Sequence, residues 1–302
     1  MVDISQLATE QRNPHTLDLD TFSPLQIAQA MNTEDANAVE AVQRVLPAVA
    51  TAIDWAAQAL RSGGRIVYIG AGTSGRLGVL DAVECPPTFG VDPDVVVGLI
   101  AGGKNAFVKA REGAEDDPQQ GKADLEAISL SERDFVIGLA ASGRTPYVIG
   151  ALTYARELGS KTAAVACTPE SKTGKVAELA IEPITGPEVL TGSTRLKAGT
   201  AQKLILNMVS TGAMTLTGKV YQNLMVDVKQ TNEKLRARAL NIVIAACGCD
   251  TDRAAQALSE ANGSVKLAIA SILLNTDTER AEQALAQANG HVRVALDQTS
   301  RS

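Results

Sequence analysis

Two stretches of the chain repeat one plan, and together they restrict its fold more than any other feature. Arg65-Ile66-Val67-Tyr68-Ile69 is a strand-like apolar run that empties into Gly70-Ala71-Gly72-Thr73-Ser74-Gly75-Arg76. About 70 residues later Asp134-Phe135-Val136-Ile137-Gly138-Leu139 leads into Ala140-Ala141-Ser142-Gly143-Arg144-Thr145. Short, continuous apolar runs fit strands buried on both faces, as in a parallel sheet. A loop of glycines and hydroxyls at such a strand end presents backbone N–H groups and side-chain donors to an anion. Two of them, each with an arginine, point to an anionic, hydroxylated ligand such as a sugar phosphate.

Further strands are expected at 94–100, 162–166 and 180–182. Helices are expected at 24–34, 35–62, 75–85, 146–158, 171–179 and 197–214, with another around Tyr221. This alternation predicts an α/β fold, a parallel sheet covered by helices on both faces. The segments are then 1–54, an extended arm (1–20) followed by helices; 55–218, the sheet domain; and 219–302, an all-helical C-terminal region. That last region carries an internal repeat. Residues 250–269 align with 277–296, sharing Gln256-Ala257-Leu258 with Gln283-Ala284-Leu285 and Ala261-Asn262-Gly263 with Ala288-Asn289-Gly290. Each copy reads as helix, Asn-Gly turn, helix. Two copies are too few for a solenoid, so a small helical appendage is expected.

Composition removes several function classes. Aromatics make up 3% of the 302 residues and the net charge is −6, which argues against base stacking and a basic nucleic-acid face. No run approaches the roughly 18 apolar residues of a membrane span, and the polar first 20 residues hold no signal-type apolar core. The expectation is a cytoplasmic chain with neither nucleic-acid nor membrane partner. Cys85, Cys167, Cys247 and Cys249 are too few for a disulfide framework. Cys247-x-Cys249 lacks the spacing of a zinc site.

Gly70-x-Gly72-x-x-Gly75 matches the dinucleotide fingerprint by letter, but that motif wants an acid at the end of the second strand. Here Asp92 and Asp94 precede the strand, which ends in Ala101-Gly102-Gly103. The sequence has no GxxxxGK[ST] loop either. A sugar-phosphate pocket fits better. Thr73, Ser74, Ser142, Arg144 and Thr145 can converge at adjacent strand ends, and a third segment, 191–200, adds Ser193 and Lys197. Histidines occur only at His15 and His291, so proton chemistry falls to carboxylates. The candidates are Glu84, just before Pro86-Pro87, and Glu115, in the acidic stretch 112–117.

Gly70 to Gly78, with Asp81 and Glu84-Cys85-Pro86-Pro87-Thr88-Phe89-Gly90, resembles the N-acetylmuramic acid 6-phosphate etherase family. So do Thr9-Glu10-Gln11-Arg12-Asn13-Pro14, Glu112-Gly113-Ala114-Glu115-Asp116, Ala141-Ser142-Gly143-Arg144-Thr145-Pro146-Tyr147 and Asn223-Leu224-Met225-Val226-Asp227. The resemblance implies a doubly wound sheet of sugar-isomerase (SIS) type. It also implies a homodimer in cell-wall amino-sugar recycling that cleaves the D-lactyl ether of N-acetylmuramic acid 6-phosphate to N-acetylglucosamine 6-phosphate and D-lactate. The family's two catalytic glutamates fall on Glu84 and Glu115. Elimination followed by hydration calls for neither metal nor redox cofactor. A sugar-phosphate isomerase and a non-catalytic sugar-phosphate sensor share the fold and stand as the alternatives.

Overall fold

The computed structural model describes residues 8–109, 111–230 and 232–299, so the first seven residues of the expected arm lie outside it. From residue 8 the arm is not extended: it forms one-turn helices at Ala8–Glu10, Pro14–Thr16 and Leu19–Thr21. Helix α1 (Pro24–Arg44) opens on a capping box between Ser23 and Gln26. It runs unbroken past the boundary expected at 34. The break comes at Val45, before α2 (Leu46–Arg61), because Pro47 has no N–H to continue the ladder.

Five parallel strands follow, β1 (Ile66–Gly70), β2 (Val96–Ile100), β3 (Phe135–Leu139), β4 (Lys161–Val165) and β5 (Leu179–Ile181), in the order β2-β1-β3-β4-β5. Between them lie α3 (Gly72–Phe89), α4 (Pro118–Ala127), α5 (Pro146–Leu158) and α6 (Lys172–Val176), and α7 (Lys197–Leu216) follows β5. The order reverses between β1 and β3. A doubly wound sheet opens a ligand crevice beyond the strands' carboxyl ends at such a point. At the amino ends of the same pair, Asp134 accepts hydrogen bonds from the Arg65 backbone and guanidinium, both at 2.8 Å, and fixes their register. Helix α4 went unread because its only large apolar residue is Leu125. Asp117, which caps it by accepting from Gln119 N and Gln120 N, and Pro118 in its first turn were the available signals.

Helix α3 lies against the sheet with almost no space between backbones. A Cβ on Gly75 would stand 2.6 Å from the Gly70 carbonyl oxygen, one on Gly78 2.8 Å from Tyr68 Cβ, and one on Gly98 of β2 2.5 Å from Val79 Cα. Buried Asp81 ties the helix further, accepting from Tyr68 Oη at 2.9 Å and from Asn207 Nδ2 of α7 at 2.7 Å. The helix does not stop at Cys85 as expected. It continues through Pro86 and Pro87 to Phe89, and Thr88 Oγ1 donates to the Glu84 carbonyl at 2.7 Å.

The chain packs as two compact units: one up to Val83 together with Asp94–Ser210, the other Glu84–Pro93 with the chain from Thr211 onward. The first unit runs across position 54, and 84–93 groups with the C-terminal region. In that second unit, Gly90 takes φ +68° and leaves no room for a Cβ, which would lie 2.3 Å from the Asp227 carbonyl oxygen. The Asp227 carboxylate receives Lys219 and Lys266 at 3.1 and 2.7 Å.

The helix expected around Tyr221 is instead an antiparallel hairpin of β6 (Val220–Tyr221) and β7 (Leu224–Met225), too short to show a period. The C-terminal region is therefore not wholly helical. Beyond the hairpin it is: α8 (Glu233–Cys247), α9 (Thr251–Glu260), α10 (Val265–Leu274), α11 (Thr278–Gln287) and α12 (Val292–Thr299). The repeat is α9–α10 and α11–α12. Asp250 and Asp277 cap the first helix of each copy, and Asn262-Gly263 and Asn289-Gly290 take positive φ at each turn. Its core is alanine-rich, with Ala254, Ala257, Ala268, Ala281 and Ala288 buried among larger apolar neighbours.

Substituting Gly98→Val should cost about 1–3 kcal/mol, because Val79 is backbone-fixed against it. Denaturant unfolding monitored by circular dichroism reads this directly. Unchanged stability would mean the helix is not held so closely.

Candidate active site

The first hydroxyl loop ends in the N-terminal turn of α3. Thr73 is half-buried there and Ser74 is buried. Ser74 Oγ donates to Gln202 Oε1 of α7 at 2.8 Å. Gly199, one turn earlier on α7, comes so close that a Cβ there would be 3.6 Å from Thr73 Cγ2. The second loop sits beside the first because β1 pairs with β3, Gly70 opposite Leu139. It is pinned by two backbone bonds, Cys167 N to Ala141 O at 2.8 Å and Thr173 N to Gly143 O at 2.9 Å. Ser142, Arg144 and Thr145 are half-buried in it. Thr145 is the N-cap of α5 but makes no capping hydrogen bond with its side chain. Thr73, Ser74, Ser142 and Thr145 therefore stand at the carboxyl edge of two paired strands.

Not every basic group near these loops faces a ligand. Arg76 donates through Nε to the Phe107 carbonyl and through Nη2 to the Ala106 carbonyl, both at 2.8 Å, holding the segment after β2. Lys197, expected to bind substrate, is only 1% exposed, and its Nζ lies 2.5 Å from Glu34 Oε2. In this geometry it braces the site from behind. His15 Nδ1 stands 2.8 Å from the other oxygen of Glu34. Burial by itself would raise the Glu34 pKa, but hydrogen bonds with Lys197 and His15 outweigh it and hold the carboxyl at about 2. Glu188 accepts from Lys197 N and Ala198 N, each at 3.0 Å, and so closes the N-terminus of α7. Its pKa is nonetheless raised, burial being the larger influence. The arm joins the same assembly: Asn13 Nδ2 and Thr16 Oγ1 donate to the carbonyls of Pro187 and Val189.

Ser193 is half-buried in the loop leading to α7, while Arg195 is exposed. Glu115 is exposed in the single turn Ala114–Asp116 after β2. Glu84 is exposed on α3. Neither thiol with a shifted pKa is poised as a nucleophile. Burial first, then the Glu188 charge, pushes Cys167 up to about 12, and burial pushes Cys247 up to about 11. Among the described residues, no group of three or more His, Cys, Asp or Glu is placed to share a metal ion. Sequence reasoning missed Glu34, Glu188 and Gln202. Glu34 and Gln202 act through partners 163 and 128 positions away, and Glu188 through backbone N–H groups 9 and 10 positions on, with no local motif to mark any of them.

Residues 48–156 match the model of the glucokinase regulatory protein N-terminal SIS domain. The N-acetylmuramic acid 6-phosphate etherase of Pectobacterium atrosepticum is 60% identical over 274 residues, covering 91% of this chain and 90% of that protein. The enzyme of the same name from Yersinia pestis (strain Pestoides F) is 58% identical over 272 residues, covering 90% and 92%. The chain belongs to the N-acetylmuramic acid 6-phosphate etherase family. Among solved structures, a Bacteroides fragilis NCTC 9343 protein assigned as a phosphosugar isomerase involved in capsule formation superposes with a TM-score of 0.52. It covers 67% of this chain and 95% of its own at 19% identity, and shares the fold alone. Within the etherase motifs the structure separates two kinds of residue. Asp81, Gly90, Asn13 and Asp227 hold backbone and neighbours, whereas Thr73, Ser142, Thr145, Glu84 and Glu115 remain accessible.

Because the folded pKa of Glu34 lies below its ordinary 4.5, its contribution to stability is complete above pH 4.5 and is lost as the pH falls toward about 2. Glu34→Gln should remove that share of the acid-side slope in unfolding experiments between pH 5 and about 2. An unchanged slope would show that the carboxylate is not held in this way.

Proposed function

We propose that this chain cleaves the D-lactyl ether of N-acetylmuramic acid 6-phosphate, giving N-acetylglucosamine 6-phosphate and D-lactate. The observation that carries this reading is 60% identity to an etherase over 91% of the chain, joined to hydroxyl loops at the switch point of the sheet. Thr73, Ser74, Ser142 and Thr145, with nearby backbone N–H groups and Arg144, hold the phosphate and sugar hydroxyls. Ser193 extends this lining, and Lys197 acts by bracing α7.

The chemistry follows from the open-chain sugar. Its C2 proton is acidified by the C1 aldehyde, and a carboxylate, assigned to Glu115, removes it. The lactyl oxygen leaves from C3 as a poor alkoxide and needs a proton, which Glu84 supplies. Water then adds to C3 of the unsaturated aldehyde, with Glu84, now ionised, as its base, and C2 is reprotonated. The net redox state does not change, so the reaction calls for no redox cofactor. In this reading the chain works as a cytoplasmic homodimer in the recycling of cell-wall amino sugars. No single described helix is long and apolar enough to cross a membrane.

Turnover in heavy-oxygen water, analysed by mass spectrometry, tests the bond that breaks. The label should enter C3 of N-acetylglucosamine 6-phosphate and be absent from lactate. Label in lactate would place cleavage on the other side of the ether oxygen and exclude this route. Glu84→Gln should lower lactate release about 10²–10⁴-fold while C2 proton exchange with solvent persists, and Glu115→Gln should lose both. The reverse pattern would interchange their roles.

A further inference from the structure

Helix α7 brings one amide against the first hydroxyl loop. Gly199 lies beside Thr73, and Gln202, three residues further and so on the same face of the helix, reaches Ser74. Its neighbours on that face, Ala198, Ile205 and Leu206, are buried and apolar. Gln202 itself is 1% exposed and Ser74 is 7% exposed. The pair shares one hydrogen bond, Ser74 Oγ donating to Gln202 Oε1 at 2.8 Å. The other end of the amide is left over: Nε2 is buried without a hydrogen-bond partner among the described residues. An amide nitrogen carries two protons that need acceptors. Burying it unpaired is costly, and an apolar side chain would fill the position at less cost.

This arrangement does not suit an anion. The Ser74 hydroxyl has a single proton and Oε1 holds it, so Ser74 has only lone pairs to offer a ligand. A phosphate oxygen needs that proton. If Ser74 merely rotated its O–H toward the phosphate, Oε1 would join Nε2 in having no partner. A half-turn of the amide about its last torsion, which has two broad wells, resolves the conflict. Nε2 then donates to Ser74 Oγ, and the Ser74 proton is free to go to the phosphate. In the chain Nε2–H···Oγ–H···O–P each donor meets an acceptor, and the last bond is charge-assisted and strengthened by the first. Only an amide can accept in one arrangement and donate in the other. An ionised carboxylate accepts alone.

We propose that Gln202 is a positioning residue that sets the direction of the Ser74 proton: when a phosphate binds, its amide turns, donates to Ser74 Oγ and fixes the hydroxyl as a donor to the ligand. This role rests on the reading of the hydroxyl loops as a phosphate site. It adds a means of telling groups apart at that loop. A ligand hydroxyl, which has its own proton to give, is served by the arrangement with the Ser74 proton on Oε1. An ionised phosphate, which can only accept, is served by the turned amide.

Calorimetric titration with N-acetylglucosamine 6-phosphate tests this role, with folding checked by circular dichroism. Gln202→Leu leaves the Ser74 proton free but unaimed and should weaken binding about 5-fold, the worth of one neutral hydrogen bond. In a Ser74→Ala background the same substitution should cost nothing further, because Gln202 acts through that hydroxyl. Equal losses in both backgrounds would overturn the role while leaving the phosphate site standing. Gln202→Glu should weaken binding about 10–100-fold at about pH 9, where the introduced carboxylate can only accept. Its deficit against the wild type should shrink as the pH falls and the carboxyl gains a proton to donate. A deficit smaller than that of Gln202→Leu, or one that does not change with pH, would also overturn the role. In turnover of N-acetylmuramic acid 6-phosphate by Gln202→Leu the loss should fall on KM rather than kcat. A fall in kcat at constant KM would place Gln202 in the chemical step instead of behind Ser74. A wild-type chain that binds no N-acetylglucosamine 6-phosphate would remove the phosphate site itself, and the role of Gln202 with it.

Discussion

The parallel pairing of β1 with β3 is the constraint on which the candidate site depends. It sets Gly70 opposite Leu139, so two loops that are about 70 residues apart in sequence begin side by side. Because β2 lies on the other side of β1, and β4 beyond β3, the chain leaves the two strand ends in opposite directions and a crevice opens between them. Nothing in either loop creates that crevice. The pair of buried Asp134 and half-buried Arg65 at the far ends of the same strands keeps the register from slipping, which would turn every side chain over.

Two further devices make this edge rigid enough to orient a ligand. The first is the close approach of α3, possible only with glycine at 75, 78 and 98, which sets the helix N-terminus and with it Thr73 and Ser74. The second is the buried assembly of Glu34, Lys197 and Glu188, with the exposed His15 at its outer side. It anchors the start of α7, from which Gln202 reaches Ser74. The loop hydroxyls are short and carry little conformational freedom of their own, so their placement is inherited from the backbone beneath them.

Much of this was legible in the chain. The strands, both hydroxyl loops and the two-copy tail show themselves through local pattern: continuous apolar runs, glycine at loop positions, and aspartate caps paired with Asn-Gly turns. What could not be read depends on partners distant in sequence or on segments with too little period. Lys197 looked like a ligand-binding cation because nothing local reveals Glu34, 163 positions away, against its ammonium. The two-residue strands of β6 and β7 leave no alternation to detect. The helix through Pro86 and Pro87 departs from the ordinary rule that proline ends a helix, and its ladder resumes past them, Gly90 N donating to the Pro86 carbonyl at 3.0 Å.

The most direct measurement is proton NMR of N-acetylmuramic acid 6-phosphate incubated with the protein in deuterated water. Elimination and hydration require lactate to appear free of deuterium on carbon, with one deuteron at C2 of the N-acetylglucosamine 6-phosphate formed. Deuterium at C1, in a ketose with the lactyl ether intact, would mean an isomerase's chemistry in the same fold. Bound but unchanged sugar phosphate would contradict any catalytic role for Glu84 and Glu115.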